Sequence, residues 1–407
     1  MAVPGWPLPT FSTASAARSR AVSTALRSRS VNTEVIGGPY GSFGSSSFTG
    51  LYGDRYGNTF PFAGQASVYP RPLSLSRGTR RRMASVMSTS VGPTPRTLRG
   101  HDTPGSPGPR SRFSAYLALT KPRVIELLLI TTAPVMFLAA EGVPNLWLVL
   151  FTLVGGALSA GSANAFNSYI DRDIDKDMSR TSSRPLVTGE ISERQALVFA
   201  WTLGVGSVVL LWVTTHWLAA LLSLAAILFY VFVYTLWLKR RSEQNIIWGG
   251  IAGCFPVLIG WAAVTGELSW EAWILFIVVF LWTPAHYWPL SMRYQDDYRG
   301  VGVPMLGVVR SAPEVGVQVI LYAWATVVMS LMLIPVGQMG PLYIVAAVGT
   351  GAWFIVESHR LFHRAVAGEA DLRPMRVFHA SISYLSLLFV SVGADPLVAL
   401  IPGLPGY

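Results

Sequence analysis

Asn167, Asp171 and Asp175 recur at i, i+4 and i+8 at the end of a long apolar segment, in the run Asn-Ser-Tyr-Ile-Asp-Arg-Asp-Ile-Asp. At about 100° per residue, a helix puts these three oxygen-bearing side chains on one stripe. Carboxylates gathered where an apolar helix meets water are costly unless a cation neutralises them. Hard oxygen donors of this kind suit Mg²⁺, which usually completes its shell with waters and substrate phosphates. The stripe therefore points to a diphosphate handled at a membrane surface.

A second acidic cluster follows a later apolar segment. Trp282-Thr283-Pro284-Ala285-His286-Tyr287-Trp288 leads into Arg293-Tyr294-Gln295-Asp296-Asp297-Tyr298. Mg²⁺ held by Asn167, Asp171, Asp175 and the Asp296/Asp297 pair would clamp the diphosphate of a prenyl donor as leaving group. Arg180, Arg184, Lys239 and Arg240 are candidates to neutralise the remaining phosphate charge, with Arg172 and Arg293 flanking the two acidic clusters. Loss of diphosphate leaves an allylic cation, for which the faces of Phe166, Tyr169, Tyr234 and Tyr287 are candidate stabilisers. Asp173 falls on the opposite face from Asp171 and is equally suited to pairing with a nearby base.

The elements that carry these groups are membrane helices. Of the 407 residues 51% are hydrophobic and only 13% charged, with a mean hydropathy of +0.44, too apolar for an ordinary soluble domain. Apolar length marks nine spans, near 122–141, 145–169, 195–215, 217–238, 246–265, 271–291, 315–336, 341–357 and 377–401. All 17 Lys and Arg beyond residue 112 lie before span one or in the loops after spans two, four, six and eight. The positive-inside rule then puts the N-terminus, both acidic clusters and those loops in the cytoplasm or matrix, and the C-terminus outside. Each acidic cluster follows an even-numbered span, four spans apart. The expected fold is all-α and polytopic, two four-helix units plus one helix around a central cavity open to the cytoplasmic face.

Residues 1–112 differ, being Ser-, Gly-, Pro- and Arg-rich with little apolar periodicity. This leader holds 14 of the 31 Lys and Arg, so the formal charge of +10 owes much to it. A basic tail on a membrane protein accounts for that charge without nucleic-acid binding. The leader's composition resembles a transit peptide, but its length and Gly/Pro content favour a disordered basic tail or a start nearer Met83 or Met87. The lone Cys254 allows neither an intramolecular disulfide nor a cysteine-based metal site.

Five strings carry a family resemblance: LTKPRVIELLLITT at 119–132, NSYIDRDID at 167–175, RTSSRPL at 180–186, YTLWLKRRSEQNIIWGG at 234–250 and WTPAHYWPLSMRYQDDYRGVGVPML at 282–306. Together they resemble the protohaem IX farnesyltransferases (haem O synthases), a branch of the intramembrane prenyltransferase superfamily. The first acidic motif is common to the superfamily, and the Trp-Thr-Pro-x-His block followed by Asp-Tyr and Pro-Met narrows it to the haem branch. Quinone-precursor relatives usually carry a second Asp-x-x-x-Asp, whereas here Asp296 and Asp297 are adjacent and Val301 follows four residues after Asp297.

The resemblance implies farnesyl transfer from farnesyl diphosphate to a vinyl group of haem B, giving haem O and diphosphate for haem-copper oxidases. It implies Mg²⁺ as cofactor, with haem as substrate. It also makes Asp297 the preferred acid of the second cluster, adds Lys121 and Arg123 as substrate contacts, and casts His286 as a haem-positioning group acting through iron or a propionate. Haem A synthase and terminal oxidase subunits are candidate partners, and a bacterial cell membrane is preferred to a mitochondrial inner membrane. The rivals are prenyl transfer to a quinone or chlorophyll precursor, and a transporter or assembly factor using the acids as a relay. Relay acids usually lie near the midplane, whereas these cluster at one surface.

Overall fold

A computed structural model describes residues 111–401. The leader assigned to 1–112 lies outside the described residues except for its last two. A short helix, α1 (Arg112–Thr120), is capped by Ser111, whose Oγ accepts from Ser114 N–H. It turns through Lys121, held in the left-handed region at φ 55°, into Pro122 at the first position of the next helix. Proline suits that position because its missing N–H would be unpaired there anyway.

Among the described residues nine helices are long and apolar enough to cross a membrane. These are α2 (Pro122–Ala139), α3 (Leu146–Ile170), α5 (Glu193–Thr214), α6 (Trp217–Leu238), α7 (Asn245–Thr265), α8 (Trp270–Arg293), α10 (Ala312–Val336), α11 (Pro341–Val366) and α12 (Pro374–Val398). Short helices between them include α4 (Arg172–Asp175) after α3 and α9 (Gln295–Gly300) after α8. The spans fall where apolar length puts them, with one clear difference. Helix α11 runs nine residues beyond the expected 357, so Arg360 and Arg364 lie on it rather than in the following loop. Its last turn carries His363 and Arg364, and basic groups there favour the negative end of the helix dipole. Apolar length locates the part of a helix that lipid demands, and the amphipathic extension escapes it.

The bundle is apolar outside as well as within. On α5 the exposed side chains Val198, Trp201, Val205, Val209 and Trp212 follow helical spacing, as a lipid-facing stripe should. The inward face is small and polar. Ser162 Oγ donates to Ala200 O and Ser207 Oγ to Gly155 O, each at 2.8 Å, tying α3 to α5. Lipid offers no hydrophobic drive between helices, so close packing and such bonds hold them together.

Helices α3, α5 and α6 pack together, and α8, α10, α11 and α12 form a second group. Helices α2 and α7 lie between the two groups. The ninth span is therefore not an appendage, since α12 packs along α2, α8 and α11. The α2–α12 contact requires Gly393, where a Cβ would stand 2.8 Å from Pro134 Cα. Two departures from α-winding border the interior: Phe229–Leu238, the wide π-turned end of α6, and Gly250–Cys254, a tight 3₁₀ stretch inside α7. Such segments re-aim side chains and recur at functional sites.

Candidate active site

The carboxylate row forms as local periodicity demands. Asp171 N–H donates to Asn167 O and Asp175 N–H to Asp171 O, both at 2.9 Å, so the helical path continues across the α3–α4 junction. Asn167, Asp171 and Asp175 are all buried. Asn167 Nδ2 donates to Asp171 Oδ2 at 2.6 Å, fixing which way the amide faces.

Four bases close on this row, three from distant segments and Arg184 from the loop that follows it. Lys121 Nζ donates to Asn167 Oδ1 at 2.6 Å, and Lys239 pairs with Asp171 and Arg184 with Asp175. Arg240 grips Asp173 through two bonds of 2.6 and 2.7 Å and reaches Asp171 Oδ1 at 3.4 Å. The left-handed turn at Lys121 and the bond from Asn164 Nδ2 to Thr120 O (2.9 Å) strap the α1–α2 corner to α3. The π-turned end of α6 delivers Lys239 and Arg240, with Lys239 N–H donating to Tyr234 O five residues back. Burial lowers the Lys121 ammonium well below the ordinary lysine range, assisted by the nearby charges of Arg184 and Lys239. The Arg240 hydrogen bond holds the Asp173 carboxyl down at about 2.

The loop after α3 also meets the α8–α9 corner. Ser179 Oγ donates to Asp297 Oδ2 at 2.6 Å, and Arg180 Nη2 to Tyr298 Oη at 3.0 Å. Tyr298 Oη lies 2.9 Å from Tyr287 Oη, and the Arg180 guanidinium rests over the Tyr294 and Tyr298 rings. The two acidic loops, 118 residues apart in sequence, are thus joined through Ser179, Arg180, Asp297 and Tyr298.

Other expected contacts lie elsewhere. Asp296 is 94% exposed and pairs with Arg299 at 2.7 Å. Arg172 bonds Glu193 and Tyr169 O, both at 2.8 Å, and stacks on the Tyr169 ring, tying the end of α3 to the start of α5. Arg123 is exposed. Arg293 borders a separate polar cavity of about 220 Å³ with Gln295 and Asp371. His286 packs on α12 rather than in the row, stacked between Trp282 and Phe378 with Nδ1 at 2.8 Å from Ser381 Oγ.

An apolar cleft of about 120 Å³ lies between α2, α3, α6 and α7, lined by Val124, Leu128, Ala163, Ala226 and Pro256. Its α3 wall runs from Gly156 to Asn164, about 12 Å of helix at 1.5 Å per residue. Asn164 stands one turn before Asn167, and Tyr230 lines the cleft beside Tyr234, ring centroids 5.3 Å apart. Tyr234 is seated against Gly249, where a Cβ would meet its ring at 2.1 Å. Tyr230, Asn164, Ser179 and Tyr298 escape the motif reading. Asn164 was within reach of it, three residues before Asn167 on the same helix, whereas Ser179 and Tyr298 acquire meaning only across the loop contact.

Around three carboxylates (Asp171, Asp173, Asp175) stand Lys121, Arg184, Lys239 and Arg240, with Arg180 on the adjoining loop. An excess of positive charge at the mouth of an apolar cleft suits an anionic head with a hydrocarbon tail. No group of three or more His, Cys, Asp or Glu that could cage a metal occurs among the described residues. The hard oxygens of Asn167, Asp171 and Asp175 instead fit a cation that arrives with phosphate and water ligands, the usual habit of Mg²⁺.

Comparison with known proteins gives the family. Residues 128–382 match the UbiA prenyltransferase family. A protoheme IX farnesyltransferase of Clavibacter michiganensis subsp. michiganensis is 68% identical over 291 residues, 72% of this chain and 95% of the relative. One of Paenarthrobacter aurescens is 58% identical over 313 residues, 77% of this chain and 98% of the relative. Among solved structures, a UbiA homolog from Aeropyrum pernix K1 shares the fold with a TM-score of 0.53 at 19% identity, covering 69% of this chain and 98% of its own. This integral membrane protein, with nine helices long and apolar enough to cross a membrane among its described residues, belongs to the UbiA prenyltransferase family.

Proposed function

We propose that this chain is a prenyltransferase that moves the farnesyl group of farnesyl diphosphate to a vinyl group of haem B, giving haem O and diphosphate. The observation that carries the transfer chemistry is the base-rich carboxylate row at the mouth of the apolar cleft. The acceptor rests on relatives of 58–68% identity that bear the name protoheme IX farnesyltransferase.

The farnesyl chain lies in the cleft between α2, α3, α6 and α7, with its diphosphate against the row. Asn167, Asp171 and Asp175 would hold Mg²⁺, which would supply neutralising charge to the departing diphosphate. Lys239 and Arg184 exchange carboxylate partners for phosphate, Lys121 exchanges the Asn167 amide oxygen for phosphate, and Arg180 approaches from the adjoining loop. The allylic C–O bond breaks with its electron pair leaving on diphosphate. The Tyr230 and Tyr234 rings face the allylic cation and the apolar walls keep water from it. The vinyl π electrons of haem form the new C–C bond. Water adds at the neighbouring carbon and releases a proton, producing the hydroxyethylfarnesyl group.

The charge distribution supports a cytoplasmic site, with the N-terminus inside and the C-terminus outside. The bacterial sources of the relatives support a bacterial cell membrane, and the product suits delivery to haem-copper oxidases. The test is an in-membrane assay with haem B, farnesyl diphosphate and Mg²⁺, reading haem O by chromatography and mass. Mg²⁺-dependent haem O formation is the expected result. Prenylation of a quinone precursor with no haem O overturns the acceptor, and neither product from folded protein overturns the transferase.

A further inference from the structure

His286 is a polar group that takes no part in the carboxylate row. Its imidazole stacks on Trp282 at 4.1 Å and 15° and on Phe378 at 4.5 Å and 25°, so both faces are covered. On the ring edge, Nδ1 lies 2.8 Å from Ser381 Oγ. Ser381 has one hydroxyl proton, and it goes to Phe378 O at 2.7 Å, an atom that can only accept. Ser381 Oγ must then accept from the ring, which puts the imidazole proton on Nδ1. In the neutral ring this leaves Nε2 with its lone pair.

The arrangement is rigid. Ser381 is fully buried, and Trp282 Nε1 donates to its carbonyl at 2.8 Å. No hydrogen bond to Nε2 occurs among the described residues. An edge-on lone pair, with the opposite nitrogen fixed by a hydrogen bond, is how proteins present histidine to a metal. The same lone pair repels a carboxylate, which needs an N–H to bind. The next residue, Tyr287, turns about 100° around α8 to bond Tyr298 at the Arg180 loop.

We propose that His286 Nε2 is an axial ligand to the iron of the acceptor haem, and that Ser381 is a positioning residue that sets its tautomer. Consecutive residues of α8 then address the acceptor and the diphosphate side of the site. Ligation transfers no electron and releases no proton, because Nε2 carries none. The inference rests on the haem-acceptor reading above and selects iron over propionate as the atom His286 meets.

The test titrates purified full-length protein in detergent, without farnesyl diphosphate, with ferric haem B and with metal-free protoporphyrin IX. Variants are His286→Ala, Ser381→Ala and Ser381→Thr. Wild type should show a nitrogen-ligated Soret spectrum and bind haem B about tenfold or more tightly than the metal-free ring, about 1.4 kcal/mol. His286→Ala should abolish both features while still binding protoporphyrin, and added imidazole should restore the spectrum. Ser381→Ala should weaken haem binding several-fold, with rescue by Ser381→Thr. A wild-type haem spectrum with no nitrogen ligand overturns the proposal whatever the variants do. So does a His286→Ala loss that is equal for both porphyrins, the result expected of a propionate contact. Haem O formation without the nitrogen-ligand spectrum removes this inference and leaves farnesyl transfer standing. The spectrum without haem O leaves the ligation of haem iron by His286 standing and removes haem as the acceptor.

Discussion

If Asp171 holds the metal, removing its charge should cost activity that repairing its ion pair cannot return. The side chain is 0% exposed and its partner Lys239 14%, so solvent screens the pair little. Deleting one member of such a pair strands the other, typically at about 3–5 kcal/mol. Here the lower end applies to Asp171→Asn, because Lys239 retains some access to solvent and Arg240 keeps both bonds to Asp173. The single variant should therefore lose about 3 kcal/mol of stability. Its kcat/KM for farnesyl diphosphate should fall about 10²-fold or more. In Asp171→Asn/Lys239→Met no stranded ammonium remains, so the thermal midpoint in detergent should return most of the way. Haem O formation and its Mg²⁺ dependence should stay at least as poor as in the single variant, since the double variant also lacks the Lys239 contact to diphosphate. The assay follows melting and turnover on the same preparations across a Mg²⁺ titration. Recovery of turnover together with stability would refute the reasoning, since it would make Asp171 only a counter-ion.

Four further outcomes test the site piece by piece. Asp296→Ala should leave turnover and the Mg²⁺ requirement within about twofold, as a fully solvated pair with Arg299 contributes little; a large loss would bring Asp296 back as a ligand. Arg180→Lys keeps the charge but loses the flat guanidinium over Tyr294 and Tyr298, so KM for farnesyl diphosphate should rise about tenfold, read in steady-state kinetics. Gly249→Ala drives a methyl into the Tyr234 ring and should cost about 1–3 kcal/mol by overpacking; melting of the double variant with Tyr234→Ala should show relief. Glu243, held below the ordinary glutamate range by Arg310, should stabilise the fold above its unfolded pKa and cease to do so as pH falls through the lower folded value. Melting Glu243→Gln against wild type should then show a deficit at pH 7 that vanishes once pH falls below the folded value.

Which parts were legible in the chain follows from the range of the physics involved. A run of some twenty apolar residues has no alternative to a helix in lipid, because every backbone N–H and C=O must be paired within it. The nine spans follow from that alone, to within a few residues except at the end of α11. The carboxylate row is equally local, since the spacing of Asn167, Asp171 and Asp175 is the helix repeat itself. The partners of those groups are not local. Lys121 rather than Arg123 reaches the row, Arg184 reaches it while Arg172 turns to Glu193, and Asp296 and Asp297 part company at adjacent positions. Most of these choices depend on a left-handed turn or a loop crossing whose contacts span tens of residues in sequence, and even the nine-residue reach of Arg184 to Asp175 depends on how the loop folds back. The tautomer of His286 depends on Ser381, 95 residues away. Sequence by itself determined the helices, the charged loops and the row of acids, because periodicity and hydropathy act between near neighbours. Only the tertiary structure decided which base meets which acid and which nitrogen of His286 is free, because those are set by how helices cross.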